Sequence, residues 1–185
     1  MRRLLAFLLL LSLAGCGGGA RLGEEWTTVS EANFPLSFTA PGLEASQSSF
    51  LRSVRYTQGR PVVLSRGRWT AFTAAGFVES DLSVNQAGAG GFIVPLSAKD
   101  ELQRLMSLTL EGRPARDPIP GQTRNDLGEI QYIHFGDAGG DCLVFYQSWR
   151  GERILSSLLG RYCRRGPEPL SALTRRAVLT GLAEK

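Results

Sequence analysis

Hydrophobic and polar positions alternate with a period of two over several stretches of this chain, the spacing of half-buried β-strands. From Phe50 to Tyr56, Phe50, Arg52, Val54 and Tyr56 fall on one side and Leu51, Ser53 and Arg55 on the other. Gln58-Gly59 supplies a turn, and Pro61 to Ser65 a second strand, so the pair reads as a hairpin. Arg68 to Val78, carrying Trp69, Phe72, Phe77 and Val78, predicts one further strand. Leu127 to Phe135 is apolar on both sides through Ile130, Tyr132, Ile133 and Phe135, as expected of a strand inside a sheet. Cys142 to Gln147 and Ile154 to Tyr162 form the last hairpin, turning through Trp149-Arg150-Gly151-Glu152. Trp26 to Phe38, broken by Pro35 and followed by Pro41-Gly42, predicts short extended pieces.

Two stretches carry the helical period instead. Ser97 to Asp100 has the form of a capping box, and Leu102, Leu105, Met106 and Leu110 recur at helical spacing before Gly112 and Pro114. That predicts a helix at about 98–111. A second, at about 170–183, follows Pro167-Glu168-Pro169 and carries Leu170, Leu173, Ala177, Val178 and Leu182 as its stripe. Arg113 to Gln122, with Pro114, Pro118 and Pro120, reads as a connector without regular structure. Asn85 to Gly91 reads as a glycine-rich loop. Phe92-Ile93-Val94-Pro95-Leu96 follows it where a phosphate-binding loop needs a helix N-terminus. The fold expected is α+β: one domain over 26–185, an antiparallel sheet with both helices packed on one face.

Ahead of this domain, Arg2 and Arg3 precede the apolar run Leu4 to Leu11, too short for a permanent bilayer span. Leu13-Ala14-Gly15-Cys16 closes it, and this box resembles the lipobox of bacterial lipoprotein precursors. The resemblance implies a signal peptide over 1–15 and a diacylglyceryl thioether on Cys16, with the new amino group acylated. No other cofactor is expected. Several acyl chains, at about 0.8 kcal/mol per buried methylene, hold a protein on a membrane where one chain does not. Residues 16–25, opening on Gly17-Gly18-Gly19, then form a flexible tether. Gly17 stands where Asp would favour the inner membrane, so the resemblance places the domain in the cell envelope, facing the periplasm, on the outer rather than the inner membrane.

That compartment changes the reading of the remaining cysteines. Cys142 and Cys163 are an even pair in an oxidising space and are expected to form a disulfide. As cross-strand partners they would set Leu143 against Tyr162 and Phe145 against Gly160, with Leu143, Phe145, Leu158 and Tyr162 on one face. The cassette from Cys142 to Cys163 with its following helix resembles the C-terminal parts of uncharacterised bacterial envelope proteins, which carries no activity with it. The formal charge of +4 falls to about +2 once Arg2 and Arg3 are removed, too weak for a nucleic-acid partner.

Candidate chemistry is sparse. His134 is the only histidine and lies mid-strand, and no Gly-x-Ser-x-Gly elbow offers it a nucleophile. Two cysteines and one histidine supply too few soft ligands for a metal, so no metal site is expected. Asp137 and Asp141 bracket a glycine turn and read as turn formers rather than calcium ligands. The adjacent acids Glu24-Glu25 and Asp100-Glu101 point apart and make no dyad. Trp149, Arg150, Arg153, Arg161, Arg164 and Arg165, with Tyr162, give the last hairpin a basic, aromatic character. This is a candidate patch for acidic headgroups, a polyanionic glycan or an acidic protein, or else a solvated edge. The function expected is a non-enzymatic, lipid-anchored envelope protein that binds an envelope protein or polymer as an accessory or structural component. The alternatives are a carrier or binder of a small hydrophobic ligand or lipid, and an enzyme using carboxylates and His134.

Overall fold

Two antiparallel meanders joined along one seam build the sheet. The computed structural model describes residues 25–185 apart from 58, 75, 89–96, 112, 138, 152 and 153. Cys16 and its box, Phe92 to Leu96, and Arg153 therefore lie outside the described residues. The strands are β1 (Thr27–Val29), β2 (Leu36–Phe38), β3 (Gln47–Thr57), β4 (Arg60–Thr73), β5 (Gly76–Ala87), β6 (Arg116–Asn125), β7 (Gly128–Asp137), β8 (Gly140–Arg150), β9 (Leu155–Arg165) and β10 (Leu182–Glu184). The helices are α1 (Ala98–Leu110) and α2 (Ala172–Thr180). Eight strands form one sheet in the order β1-β3-β4-β5-β9-β8-β7-β6, and β10 pairs with β2 beside it. Every pairing is antiparallel.

The β8–β9 hairpin has the register expected from its cysteines, with Cys142 opposite Cys163, Leu143 opposite Tyr162 and Phe145 opposite Gly160. The two sulfurs are bonded across a Cα–Cα distance of 4.1 Å. Leu143, Phe145, Leu158 and Tyr162 lie together in the larger core, with Trp69, Leu82 and Val84 of the neighbouring strands. The Tyr162 hydroxyl donates to the Pro41 carbonyl at 2.6 Å, which satisfies the polar end of that buried ring. Buried Gln147 is satisfied by a reciprocal amide pair with Asn125, whose Nδ2 also donates to the Leu179 carbonyl at 3.0 Å. This bond fixes α2 to β6.

A single row runs from β3 to β6 on this face: Phe50, Gly67, Leu82, Gly160, Phe145, Tyr132, Gly121. Small and large residues alternate along much of it, and the rings lie over the glycines. A Cβ on Gly160 would meet Phe145 Cε2 at 2.3 Å, one on Gly121 would meet Tyr132 Cζ at 2.4 Å, and one on Gly67 would meet Trp69 Cη2 at 2.5 Å. The glycines are what let these aromatic rings lie flat on the sheet.

Several expectations need correction. The α+β label fits only roughly, because strand dominates and the helices are 13 and 9 residues long. The helices also lie on opposite faces. α1 packs Leu102 and Leu110 against Phe135, Cys142, Val144 and Cys163, whereas Val178 and Leu179 of α2 join the core of Leu143 and Phe145. Neighbours along a strand point to opposite faces, so Cys142 and Leu143 cannot be covered by the same layer. The last helix spans only Ala172–Thr180; Leu170 precedes it, Leu182 belongs to β10, and Leu173 is exposed rather than part of the stripe. Ser97 makes no side-chain cap, but Ser171 accepts from the Thr174 amide at 3.0 Å.

The proline-rich connector is in fact largely β6, the edge strand. Proline cannot donate to a ladder, and an edge strand has one side where no donor is needed. Its pairing with β7 shifts between Arg116 and Ile119, where Asp117 takes a left-handed φ of 46°. The stretch Arg68 to Val78 is the end of β4 and the start of β5, with Thr73 opposite Gly76. Asn85 to Ala87 continue β5 where a loop was expected.

Candidate functional site

The face covered by α1 carries a ladder of alternating charge. The register of β4, β5 and β9 sets Arg68 opposite Asp81 and Asp81 opposite Arg161. Arg68 Nε donates to Asp81 Oδ1 and Arg161 Nε to Oδ2, each at 2.6 Å, so one carboxylate serves two guanidinium groups. Arg161 also reaches Glu79 at 3.5 Å, and Arg165 reaches Glu79 from the other side at 3.4 Å. Arg165 then bonds Asp137, whose second oxygen accepts from the Gly139 amide at 3.0 Å and faces Arg113 at 3.5 Å. The hydrogen bond and charge of Asp81 raise the Arg68 guanidinium above its ordinary value. Arg68 is 64% exposed, so its end of the ladder contributes little stability.

Asp137 is different, with a side chain only 1% exposed. Burial alone would raise its carboxyl. The Arg165 hydrogen bond, the Gly139 amide and the charges of Arg165 and Arg113 outweigh this and hold it below the usual carboxylate range. A carboxyl lowered on folding stabilises the protein fully above its unfolded value, near about pH 4, and that stabilisation is lost as pH falls through the lower folded value. Urea midpoints measured from neutral pH down through that range are therefore expected to decline more gently in Asp137→Asn than in the parent. Parallel declines would deny Asp137 this role.

Beside the ladder, a groove of about 550 Å³ runs between α1 and the sheet. Leu105 and Leu108 of α1, Leu51 of β3 and Leu159 of β9 supply its apolar lining, and Arg66, Arg68 and Arg161 its cations. The Arg66 guanidinium lies 4.3 Å from the centre of the Trp26 ring, just before β1.

The opposite face holds a second cavity, of about 620 Å³, where His134 and Asp141 meet. His134 Nε2 lies 3.1 Å from Asp141 Oδ2, and the same oxygen accepts the Leu170 amide at 2.9 Å. Asp141 thus orients the imidazole and seats the segment entering α2. His134 Nδ1 is buried without a hydrogen-bond partner. The cavity is otherwise lined by Arg116, Asp117, Ile119, Glu168, glycines and prolines, and none of its described lining residues carries a hydroxyl or thiol nucleophile. Asp137 and Asp141 project to opposite faces, one to Arg165 and the other to His134, so the two do not converge on a shared cation. Among the described residues no cluster of three or more metal-ligating side chains is present.

The basic, aromatic patch is not brought together. Trp149 is buried on the core face. Arg150, the next residue, is exposed on the other face, at the end of β8 far from the cysteines. Arg161 and Arg165 belong to the charge ladder, whereas Arg164 points to the face of α2 and donates to the Glu168 and Pro169 carbonyls at 3.0 and 2.6 Å. Tyr162 is buried, and Arg153 lies outside the described residues. Sequence reasoning missed Glu79 and Asp81, the acids that absorb Arg161 and Arg165. Their spacing of two, matched by the every-other-residue run Arg161, Cys163, Arg165, is the signal that carries the ladder. Comparison of the chain with protein-family models, with curated proteins and with solved structures finds no match to any of them.

Proposed function

We propose that the chain is a lipid-anchored component of a bacterial cell envelope that acts without catalysis, binding an envelope protein or polymer as an accessory or structural part. The observation that carries this reading is the complete lipobox ending at Cys16, followed within ten residues by the start of the folded domain at Trp26. The Cys142–Cys163 disulfide is in keeping with an oxidising compartment. The outer membrane is the favoured address because Gly17 follows the cysteine. Intact mass of the protein from the membrane fraction tests the reading. The expected result is a chain beginning at a triacylated Cys16 that gains two hydrogens on reduction. A chain that retains Met1, or an unmodified Cys16, overturns it.

The second reading, a binder of a small hydrophobic ligand or lipid, is favoured by one feature, the leucine-lined groove beside α1. The space between the sheet and α2 does not favour it, because Leu143, Phe145 and Leu158 there are fully buried by their neighbours.

A further inference from the structure

We propose that the groove between α1 and the sheet holds an anionic phospholipid of the membrane to which the chain is anchored. One acyl chain lies against the leucines, and the phosphate lies against Arg66 and Arg68. The source of the lipid rests on the anchored reading above; the site itself does not.

Leu108 is 62% and Leu51 36% exposed, and with Leu105 and Leu159 they line one concave surface rather than being scattered over the domain. At about 550 Å³ the groove falls in the usual range for a small-molecule site and has room for part of a lipid.

Three guanidinium groups line the groove; Asp81 is the one carboxylate among its lining residues, and Glu79 beyond it also reaches Arg161. Both oxygens of Asp81 are already engaged, one by Arg68 and one by Arg161. A net positive rim beside an apolar floor is complementary to an amphiphile whose polar end is anionic. The planar forked donors of arginine match the oxygens of a phosphate.

Trp26 stacks on Arg66, so the chain leading back to Cys16 departs from the rim of this groove rather than from the α2 face. Residues 17–25 can reach at most about 30 Å when fully extended. The rim of the groove is thereby held within about 30 Å of the headgroups.

The test uses the full mature protein, purified from membranes in mild nonionic detergent micelles. Phosphatidylglycerol carrying a diazirine near the end of one acyl chain is added, and phosphatidylcholine with the same chain serves as the comparison. After irradiation, labelled peptides are mapped by mass spectrometry. Label is expected on the peptides containing Leu51, Leu105, Leu108 or Leu159, about tenfold above the phosphatidylcholine probe, whose phosphate is the same but is offset by a choline cation that the arginines repel. Arg66→Gln/Arg68→Gln is expected to bring labelling down to the phosphatidylcholine level, and Leu108→Glu to abolish it for both probes. An unchanged urea midpoint identifies the variants that remain folded; Arg66→Gln alone, which breaks no ion pair described above, serves if the double variant does not. Equal labelling by both lipids, label concentrated outside the groove, or indifference to Arg66→Gln overturns the proposal. So does protection of Arg66 and Arg68 from phenylglyoxal by inorganic phosphate without acyl labelling, which would mark an anion site only. The intact mass of the same preparation reads the anchor separately. Groove labelling on an unacylated chain keeps the site and removes the anchor, and an acylated chain without labelling does the reverse.

Discussion

Replacing Cys142 and Cys163 together by alanine is expected to lower the unfolding free energy by about 3 kcal/mol, the chain-entropy value for a loop of this length. The two cysteines are 21 positions apart and joined across adjacent strands, so the bridge constrains the unfolded chain while the native hairpin is already in register. Both are fully buried against Leu102, Leu110, Phe135 and Val144, so the alanines also leave space beneath α1. In thermal unfolding, a loss of this size in a chain of this length corresponds to a drop of roughly 6–12 °C. Urea unfolding of the parent with and without reductant isolates the bridge from the packing. A midpoint unmoved by reduction would mean that the reduced unfolded chain still holds the hairpin together, leaving the bridge no entropy to remove.

Gly160→Val is expected to cost about 3 kcal/mol, at the upper end of ordinary overpacking. The reason is the row of residues across the sheet. Gly160 is flanked by Leu82 on β5 and Phe145 on β8, and an added Cβ would stand 2.3 Å from the Phe145 ring and 2.7 Å from Leu82 Cδ2. Neither neighbour can retreat, because both are buried within the same core. Gly160→Ala is expected to cost about half as much, against the usual gain of replacing glycine within a strand. Gly88→Ala, where nothing lies within 4 Å, is the control and should stay within about 0.5 kcal/mol of the parent. Adding Phe145→Leu to Gly160→Ala should recover about 1 kcal/mol relative to the sum of the two single changes. Strict additivity of the two would show that the ring and the glycine do not in fact oppose each other.

The sequence carried the local pairings and hid what depends on distant ones. The β3–β4 hairpin, α1 and the β8–β9 register were legible because each rests on residues close in the chain: an alternating run with a glycine turn, a helical stripe, a pair of cysteines. β6 was not, because Pro118 and Pro120 argue against a strand unless that strand is known to be an edge, and edge position is a property of the assembled sheet. The placing of the helices on opposite faces was equally hidden. Cys142, Leu143, Val144 and Phe145 are all apolar, so the strand alone does not say which side each helix covers. For the site, five arginines in the last hairpin suggested one basic surface. Strand alternation sent Arg164 to one face and Arg161 and Arg165 to the other, and β5 supplied Glu79 and Asp81 from early in the chain. The groove was invisible for the same reason. Its leucines come from three elements that share no sequence pattern.

The seam between β5 and β9 also sets a timetable for folding. β3, β4 and β5 can zip together as soon as they are made, but the partner of β5 is the last long strand, pairing Phe77 with Arg165 and Ala87 with Leu155. Until α1 and β6 to β8 have followed, the strand bearing Val78, Leu82 and Val84 presents an unpaired edge, the kind of template on which chains aggregate. Closing so long a loop is slow, and its entropic cost falls only when the incoming edge arrives already organised. The bridge between β8 and β9 organises that edge. A chain kept reduced is therefore expected to bring a less organised edge to that seam and to self-associate more readily while half the sheet waits open.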